Sequence, residues 1–292
     1  MKQISKTPVE VFCHDCEQMT EELKQAMAQQ YCKYIRGTCV KPRKSEPDIK
    51  VGICTLGATV NKEITIHPVI ICPQRFKEDS MFETIRLKYL SNWCNVKWVQ
   101  EVSIGVGGNI DYVAVELDQH GKINNFLCVE IQAGGTTGTP YPYVDQLRKN
   151  GNFDNVECTY GINWANEFSK TMMQQAYKKG KIIEHWGRKI VFVVQDVAMS
   201  YLMNAADCSG LTDYDASSPV DFCSFSLEWE KTDWHLRFKE IRSSSIDGIN
   251  LILGGAHQDE YPSVDDFKNN IMKKGISDGV LLPVGEDNNH LE

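Results

Sequence analysis

The middle of the chain alternates short apolar runs with turns rich in glycine and asparagine. The runs are VKWVQEVSIG, NIDYVAVEL, NFLCVEIQA and KIIEHWGRKIVFVVQDV, whose β-branched and aromatic residues predict strands. Between the last two runs, residues 163–179 have apolar positions at helical spacing. Farther on, CSFSLEWEKTDWHLRF predicts a strand pair and SVDDFKNNIMKKG a short helix. This order predicts an α/β fold with a mixed sheet flanked by helices.

The N-terminal third has a different pattern. Residues 17–33 predict a helix capped by Thr20, EITIHPVIICP predicts a short strand, and SMFETIRLKYLSNWC predicts an amphipathic helix. Residues 34–54 combine two prolines, two glycines and a basic excess, which predicts an irregular loop. We therefore expect three parts: an N-terminal cysteine-rich segment at 1–95, a core at 96–285, and a solvated tail at 286–292.

Composition and charge narrow the classes of function. Hydrophobic residues make up 42% and charged residues 24% of the chain, which is typical of a folded globular protein. The chain has no run of 18 apolar residues and starts with a polar stretch, so we expect a cytoplasmic protein without a membrane partner. The net charge of −8 argues against non-specific coating of nucleic acid, although it leaves room for a local basic groove.

Two carboxylates interrupt the apolar strands of the predicted core. Asp111 lies within NIDYVAVEL, and Glu130 lies within NFLCVEIQA, two residues before Gln132. Residues two apart on a strand point to the same face, so Glu130 and Gln132 share one face. If the two strands pair as a hairpin, Asp111 and Glu130 meet near one end. With a main-chain carbonyl they would supply oxygen ligands of the kind that Mg²⁺ prefers.

The alternative is that one or both carboxylates are ordinary solvated charges at strand ends. Burying an unpaired carboxylate is costly, so two such interruptions at hairpin spacing favour a site. Glu101, in the preceding run, is a third candidate that would support a second metal ion or a water molecule. An ordinary surface position on a strand is the alternative for Glu101.

The cysteines are unevenly distributed. There are eleven, an odd number, and a chain of this size without a secretory signal needs no disulfide framework. Five lie scattered in or near apolar runs and are expected to behave as small buried apolar residues. The other six fall within the first 72 residues and need a different explanation. Two of these, Cys13 and Cys16, have the CxxC spacing that is common in zinc sites.

The carboxylates resemble the active site of the PD-(D/E)XK nuclease superfamily. Asp111 takes the first position of that motif, and Glu130, Ile131 and Gln132 take the second. The resemblance implies that Asp111, Glu130 and the main-chain carbonyl of Ile131 hold a catalytic Mg²⁺. Gln132, which would orient the attacking water, stands where most members have lysine.

The cysteine segment and two further phrases resemble the NotI-type restriction endonucleases more narrowly. The phrases are EIQAGGTTGT and GRKIVFVVQD. The resemblance implies a structural four-cysteine metal site made of Cys32, Cys39, Cys54 and Cys72. The family implies iron, ligand type alone favours zinc, and tetrahedral sulfur sites accept either. A set that includes Cys13 and Cys16, or no metal at all, is the alternative.

Together these features predict a type II restriction endonuclease that hydrolyses double-stranded DNA with Mg²⁺ and acts as a homodimer. Two basic stretches are candidates for contacting DNA phosphates: Lys33, Arg36, Lys41, Arg43, Lys44 and Lys50, and Lys170, Lys178, Lys179, Lys181, Arg188 and Lys189. Solvated surface charge is the alternative for each stretch. Two other functions stay open: a DNA-binding or regulatory module with an inactive nuclease-like core, and an iron–sulfur redox protein. The second is disfavoured because the cysteines lack ferredoxin-type spacing.

Overall fold

The computed structural model describes residues 2–43, 45–61, 63–156, 158–254, 263–265 and 267–268. Its contacts divide the chain into one compact unit at Met1–Gly255, which contains every element below, and a second unit at Ala256–Glu292. The short helix predicted from SVDDFKNNIMKKG lies mostly outside the described residues, and the predicted tail at 286–292 lies wholly outside them. None of the described helices is long and apolar enough to cross a membrane.

The described helices are α1 Glu21–Gln29, α2 Asp79–Tyr89, α3 Tyr141–Asn150, α4 Met173–His185, α5 Asp196–Ala205 and α6 Ile246–Gly254. A π-helical segment, Ala165–Met172, runs directly into α4, and short 3₁₀ turns occupy Pro73–Phe76 and Gly105–Gly107. The strands are β1 Pro8–Val11, β2 His14–Asp15, β3 Tyr31–Cys32, β4 Gly37–Thr38, β5 Pro42–Arg43, β6 Glu46–Lys50, β7 Ile53–Thr59, β8 Ile66–Ile70, β9 Val96–Ser103, β10 Asn109–Leu117, β11 Ile123–Gln132, β12 Thr136–Thr137, β13 Gly161–Ile162, β14 Ile190–Gln195, β15 Thr212–Asp213, β16 Val220–Glu230 and β17 Asp233–Ser244.

The main sheet has seven strands in the order β15-β17-β16-β14-β11-β10-β9. Its centre is parallel, because β14 runs parallel to both β11 and β16, whereas the outer neighbours pair antiparallel. The predicted hairpin of β10 and β11 and the predicted strand pair of β16 and β17 both form. The mixed α/β sheet flanked by helices is therefore confirmed.

Apolar side chains cover both faces of the main sheet. On one face, Phe192 and Phe222 belong to a core that also contains buried residues of α4, α5 and α6. On the other face, Val191 and Phe225 belong to a core shared with Met81 of α2. A strand buried on both faces reads as a continuous apolar run, which explains the sequence IVFVV in β14.

A second, smaller sheet has the order β2-β1-β7-β8. Its core contains Leu56 of β7, Leu23 of α1 and Leu147 of α3. Helix α3 comes from the connection between β11 and β14, far along the chain from the other two. The N-terminal segment and the connection within the main sheet therefore share one apolar core.

A buried charge network joins the two sheets. Arg75 is fully buried, and its Nε lies 2.9 Å from both carboxylate oxygens of Glu10 in β1. Its other nitrogens donate to Glu78 at 2.7 Å and to the carbonyl oxygen of Trp234 in β17 at 2.8 Å. Arg75 is thus a structural residue that connects β1 to the main sheet.

The secondary structure predicted from the sequence differs from the structure at three places. The helix predicted to end at residue 179 continues to His185, so the strand that follows begins only at Ile190. Helix α5 was not predicted, because Asp196 starts it directly after β14 and no turn residue marks the change. The predicted irregular loop contains the paired strands β5 and β6. By contrast, α1 is capped as predicted, since the Leu23 amide donates to Thr20 Oγ1 at 3.2 Å.

Candidate active site

The two predicted carboxylates lie at the same end of the β10–β11 hairpin. Tyr112 pairs with Val129, and the next step of that register places Asp111 opposite Glu130. Asp111 Oδ2 also accepts a hydrogen bond of 2.8 Å from the main-chain amide of Ile131. The structure therefore brings Asp111 and Glu130 together, as the hairpin spacing predicts.

The alternation of side chains along β11 points the Glu130 side chain toward helix α4. Cys128, two residues earlier on β11, belongs to the core beneath α4, so Glu130 faces the same side. There the ammonium nitrogen of Lys179, in α4, lies 2.7 Å from Glu130 Oε1. Lys179 also donates to the carbonyl oxygen of Asn109 at 2.7 Å and to Gln175 Oε1 at 3.3 Å. Lys179 and Glu130 are buried beside the half-buried Asp111 at this end of the sheet.

Burial sets the electrostatics of this group. Burial raises the pKa of Glu130 to about 7, although the ammonium of Lys179 acts in the opposite direction. Burial also raises the pKa of Asp111, against the lowering effect of the hydrogen bond from the Ile131 amide. Burial makes the charged form of each carboxylate less favourable. A bound cation would stabilise the charged forms.

Glu101 lies beside Asp111 in a strained conformation. The pairs Ile110–Val102 and Tyr112–Gln100 of β9 and β10 leave Asp111 and Glu101 opposite each other. The φ of Glu101 is 53°, a left-handed value that is uncommon for a residue other than glycine. Its charge contributes to the raised pKa of Asp111. Such outliers cluster at functional sites, which is compatible with the predicted accessory role of Glu101.

Gln132 and the segment after β11 form the rim of the site. Gln132 is half-buried, and its Nε2 donates to the neighbouring carbonyl oxygen of Ala133 at 3.0 Å. Farther along, a Cβ on Gly135 would lie 2.3 Å from Glu167 Oε1, so a larger residue there would displace the end of the Glu167 side chain. Glu167 belongs to the π-helical segment, a local geometry that is frequent at functional sites. Sequence reasoning did not single out Glu167, and it placed Lys179 in a DNA-contacting surface.

The donor set fits a hard cation. Glu130 Oε1 is buried and accepts no hydrogen bond of good geometry among the described residues, although the Lys179 ammonium is near it as an ion pair. Two neighbouring carboxylates match the oxygen preference of Mg²⁺. Within the described ranges, no three His, Cys, Asp or Glu side chains stand where they could share one ion. The protein thus supplies a carboxylate pair rather than a complete cage.

Four of the N-terminal cysteines form one buried cluster, defined here as Cys13, Cys32, Cys54 and Cys72. The Sγ atom of Cys13 lies 3.3 Å from that of Cys32 and 3.8 Å from that of Cys54. All eleven cysteines are free thiols. Cys39, a member of the predicted set, packs against this cluster and is only partly buried.

The CxxC pair separates in the structure. Phe12 and Cys13 have positive φ values of 47° and 69° at the turn after β1, and Cys13 belongs to the cluster. Cys16 belongs to the neighbouring apolar core, where its thiol donates to the carbonyl oxygen of Pro8 at 3.2 Å. Burial raises the pKa of the Cys72 thiol. Sulfur donors suit zinc or iron by type, but no three of the described cysteines stand where they could share one ion.

The basic stretches are only partly available for DNA. Lys33 pairs with Asp233 at 2.7 Å, and Arg43 pairs with Glu46. Lys189 pairs with Asp221 at 2.9 Å, and Lys179 is buried. Lys44 lies outside the described residues. In the second stretch, the exposed lysines are Lys170, Lys178 and Lys181.

A model of restriction endonucleases matches residues 17–216, more than half of the chain. The family is the one described as restriction endonuclease NotI, and the chain belongs to it. The resemblance to NotI-type enzymes is therefore confirmed, and the protein is an endodeoxyribonuclease of the type II restriction class that acts on double-stranded DNA. The matched residues contain Asp111, Glu130 and Cys39, whereas Cys13 precedes them. No curated protein matches the chain.

Proposed function

We propose that the protein cleaves double-stranded DNA by Mg²⁺-dependent hydrolysis at the Asp111–Glu130 pair. The observation that carries this proposal is the position of the two carboxylates opposite each other at one end of the β10–β11 hairpin. Glu130 is buried and Asp111 is half-buried, and burial raises the pKa of each, a perturbation that is common at functional sites. This arrangement favours the PD-(D/E)XK assignment.

In this mechanism Asp111, Glu130 and the carbonyl of Ile131 would hold Mg²⁺, which supplies charge stabilisation at the phosphate and activates water. Gln132 orients the attacking water from the same strand face as Glu130. The water oxygen forms a bond to phosphorus, the bond from phosphorus to the 3′ oxygen breaks, and the 3′ oxygen takes up a proton. The products are a 5′ phosphate and a 3′ hydroxyl.

DNA binding and assembly complete the proposal. The exposed lysines Lys170, Lys178 and Lys181 lie on the helical segment that also carries Lys179, so they are the favoured phosphate contacts. Cleavage of both strands at a symmetric sequence favours a homodimer with one such site per strand. Glu101, across from Asp111, is placed to support a second metal ion or a water molecule.

The first test is digestion of long unmethylated double-stranded DNA with Mg²⁺ or with EDTA. We expect discrete fragments with Mg²⁺, none with EDTA, and none from Asp111→Ala, because that variant lacks a metal ligand. Gel electrophoresis and end sequencing provide the measurement. Asp145→Ala, on the exposed face of α3, is the matched control and should cut normally.

Two results would contradict the proposal. If Asp111→Ala cut DNA at the wild-type rate, Asp111 would not be a residue of the active site. Binding of DNA without cutting by the wild-type protein, across many DNA sequences and divalent metals, would favour the inactive regulatory module, which the family match does not favour.

We also propose that the cysteines hold a structural metal ion, zinc or iron, through Cys32, Cys54 and Cys72 and a fourth thiol. The predicted fourth ligand is Cys39, whereas the contacts of Cys13 with Cys32 and Cys54 favour Cys13. We expect Cys13→Ser to lose most of the bound metal and to lower the melting temperature, because metal binding contributes folding free energy. Elemental analysis and calorimetry of Cys13→Ser and Cys39→Ser measure both quantities. Full metal content in Cys13→Ser, with loss in Cys39→Ser, would restore Cys39 as the ligand.

A further inference from the structure

Lys179 is a buried cation whose position the proposed hydrolysis has not yet used. It is 5% exposed, and its ammonium contacts three groups from three elements. These are Glu130 on β11, the carbonyl of Asn109 on β10, and Gln175 on its own helix, at 2.7, 2.7 and 3.3 Å. Burying an ammonium costs several kcal/mol unless it is well paired, so this position is demanding. A methionine or leucine would fill the same space at lower cost.

The ammonium is held at the end of the sheet where the carboxylates meet. Asn109, whose carbonyl accepts from it, is two residues before Asp111 on β10. Glu130 is its ion-pair partner. The lysine therefore belongs to the site itself rather than to the outer surface of α4.

Strand β11 supplies no cation at this place. Gln132 shares the face of Glu130, but its side chain is neutral, and its Nε2 is turned to the carbonyl of Ala133. Hydrolysis of a phosphodiester places extra negative charge on the non-bridging oxygens, and a fixed cation beside them stabilises the transition state. Helix α4 therefore supplies the cation beside the carboxylates, and strand β11 supplies none.

We propose that Lys179 is a catalytic residue of this nuclease site, an inference that rests on the proposed function. In the metal-free protein its ammonium neutralises Glu130. When a divalent cation binds the carboxylates, the ammonium turns from Glu130 to a non-bridging oxygen of the attacked phosphate. The lysine thus competes with the metal for Glu130 and then works beside it.

This dual role predicts opposite effects on metal binding and on cleavage. Two cations beside one carboxylate repel each other, so removing the ammonium should tighten metal binding. Removing a cation from the attacked phosphate should slow the chemical step by about 100-fold or more, the range seen when one transition-state contact is lost. If Lys179 only filled the core, its substitution would reduce the amount of folded protein. Metal binding would then weaken and cleavage would slow.

The test uses Lys179→Gln, which keeps hydrogen-bond donors toward Glu130, and Lys179→Met, which keeps only the volume. Mn²⁺ binding without DNA is measured by electron paramagnetic resonance, and cleavage is measured in single turnover at saturating Mg²⁺. We expect the Mn²⁺ dissociation constant to fall by about tenfold, a shift of about 1.4 kcal/mol, while the cleavage rate falls by about 100-fold. Lys149→Met, which removes an exposed helical lysine, is the matched control.

A relocated cation gives a second, independent readout. In the double variant Lys179→Met/Gln132→Lys, the ammonium is supplied from β11 on the face of Glu130. We expect cleavage to recover by about tenfold relative to Lys179→Met, since the charge is again beside the phosphate. If Lys179→Met does not fold, Lys179→Gln with and without Gln132→Lys provides the same comparison.

The outcomes distinguish the role of Lys179 from the proposed nuclease function. Weaker Mn²⁺ binding together with slower cleavage in both single variants overturns the role of Lys179, and so does cleavage within about threefold of wild type. The nuclease assignment then still stands, provided that wild type cuts and Asp111→Ala does not. If wild type neither binds Mn²⁺ nor cuts, the proposed function fails first, and the role of Lys179 fails with it.

Discussion

Glu130→Gln is expected to reduce DNA cleavage by about 1000-fold or more while the protein still binds DNA. Metal-based charge stabilisation contributes several kcal/mol to the barrier, and each 1.36 kcal/mol is a factor of ten in rate. Glutamine keeps the size of the side chain at a position that is 5% exposed, so the core beneath α4 is not emptied. What is lost is a negative oxygen ligand opposite Asp111.

The measurement is single-turnover cleavage of a duplex that contains the cut site, with DNA binding followed separately in EDTA. Glu83→Gln is the matched control, because this glutamate is exposed on α2 and pairs with Arg86 in the same helix. It should cut at the wild-type rate. A Glu130→Gln enzyme that keeps more than about a tenth of the wild-type rate would show that this carboxylate is not a metal ligand.

The second large effect concerns stability. Arg75→Ala is expected to lower the free energy of unfolding by about 3–5 kcal/mol, the range for breaking a buried ion pair from one side. The substitution leaves Glu10 fully buried without its ion-pair partner, and it also removes the donor to the Trp234 carbonyl. Both the small sheet and β17 lose a shared contact.

Urea denaturation followed by circular dichroism measures this change. Arg86→Ala removes an exposed arginine that forms an ion pair of 2.6 Å with Glu83, and it should leave the urea midpoint close to that of the wild type. If Arg75→Ala and Arg86→Ala unfold at the same urea concentration, the network does not hold the two sheets together. The loss caused by Arg75→Ala should be the same with and without added Mg²⁺, since Arg75 is not among the carboxylate ligands.

The carboxylate pair was predictable because strand geometry is local. The period of two fixes which side chains share a face, and the short turn between β10 and β11 leaves antiparallel pairing as the simple solution. Asp111 and Glu130 could therefore be placed opposite each other from spacing alone. The same reasoning identified Glu101, although its left-handed backbone has no signature in the sequence.

The position of Lys179 was not predictable in the same way. Which helix face packs on a sheet is decided by tertiary contacts, and Lys179 follows Lys178 in a stretch that resembles a solvated helix surface. A useful signal was present nonetheless: Ala176, Lys179 and Ile183 are spaced by three and four residues, so the lysine lies on the apolar stripe of α4. A charged residue on such a stripe is a reason to look for a buried partner.

The cysteine cluster shows the limit of motif spacing. Cys13 and Cys16 have the spacing of a zinc knuckle, but the positive φ values at Phe12 and Cys13 place the two thiols in different cores. Backbone conformation of this kind depends on the turn between β1 and β2 and on what packs beneath it. Spacing alone could not choose between Cys13 and Cys39.

Helix α3 has a consequence for how the polypeptide is made. It lies between β11 and β14 in the chain, yet Val144 and Leu147 complete the core of the small N-terminal sheet. On the ribosome, N-terminal parts fold first as they emerge. Here the first sheet must wait until residue 150 has left the exit tunnel before its core can close.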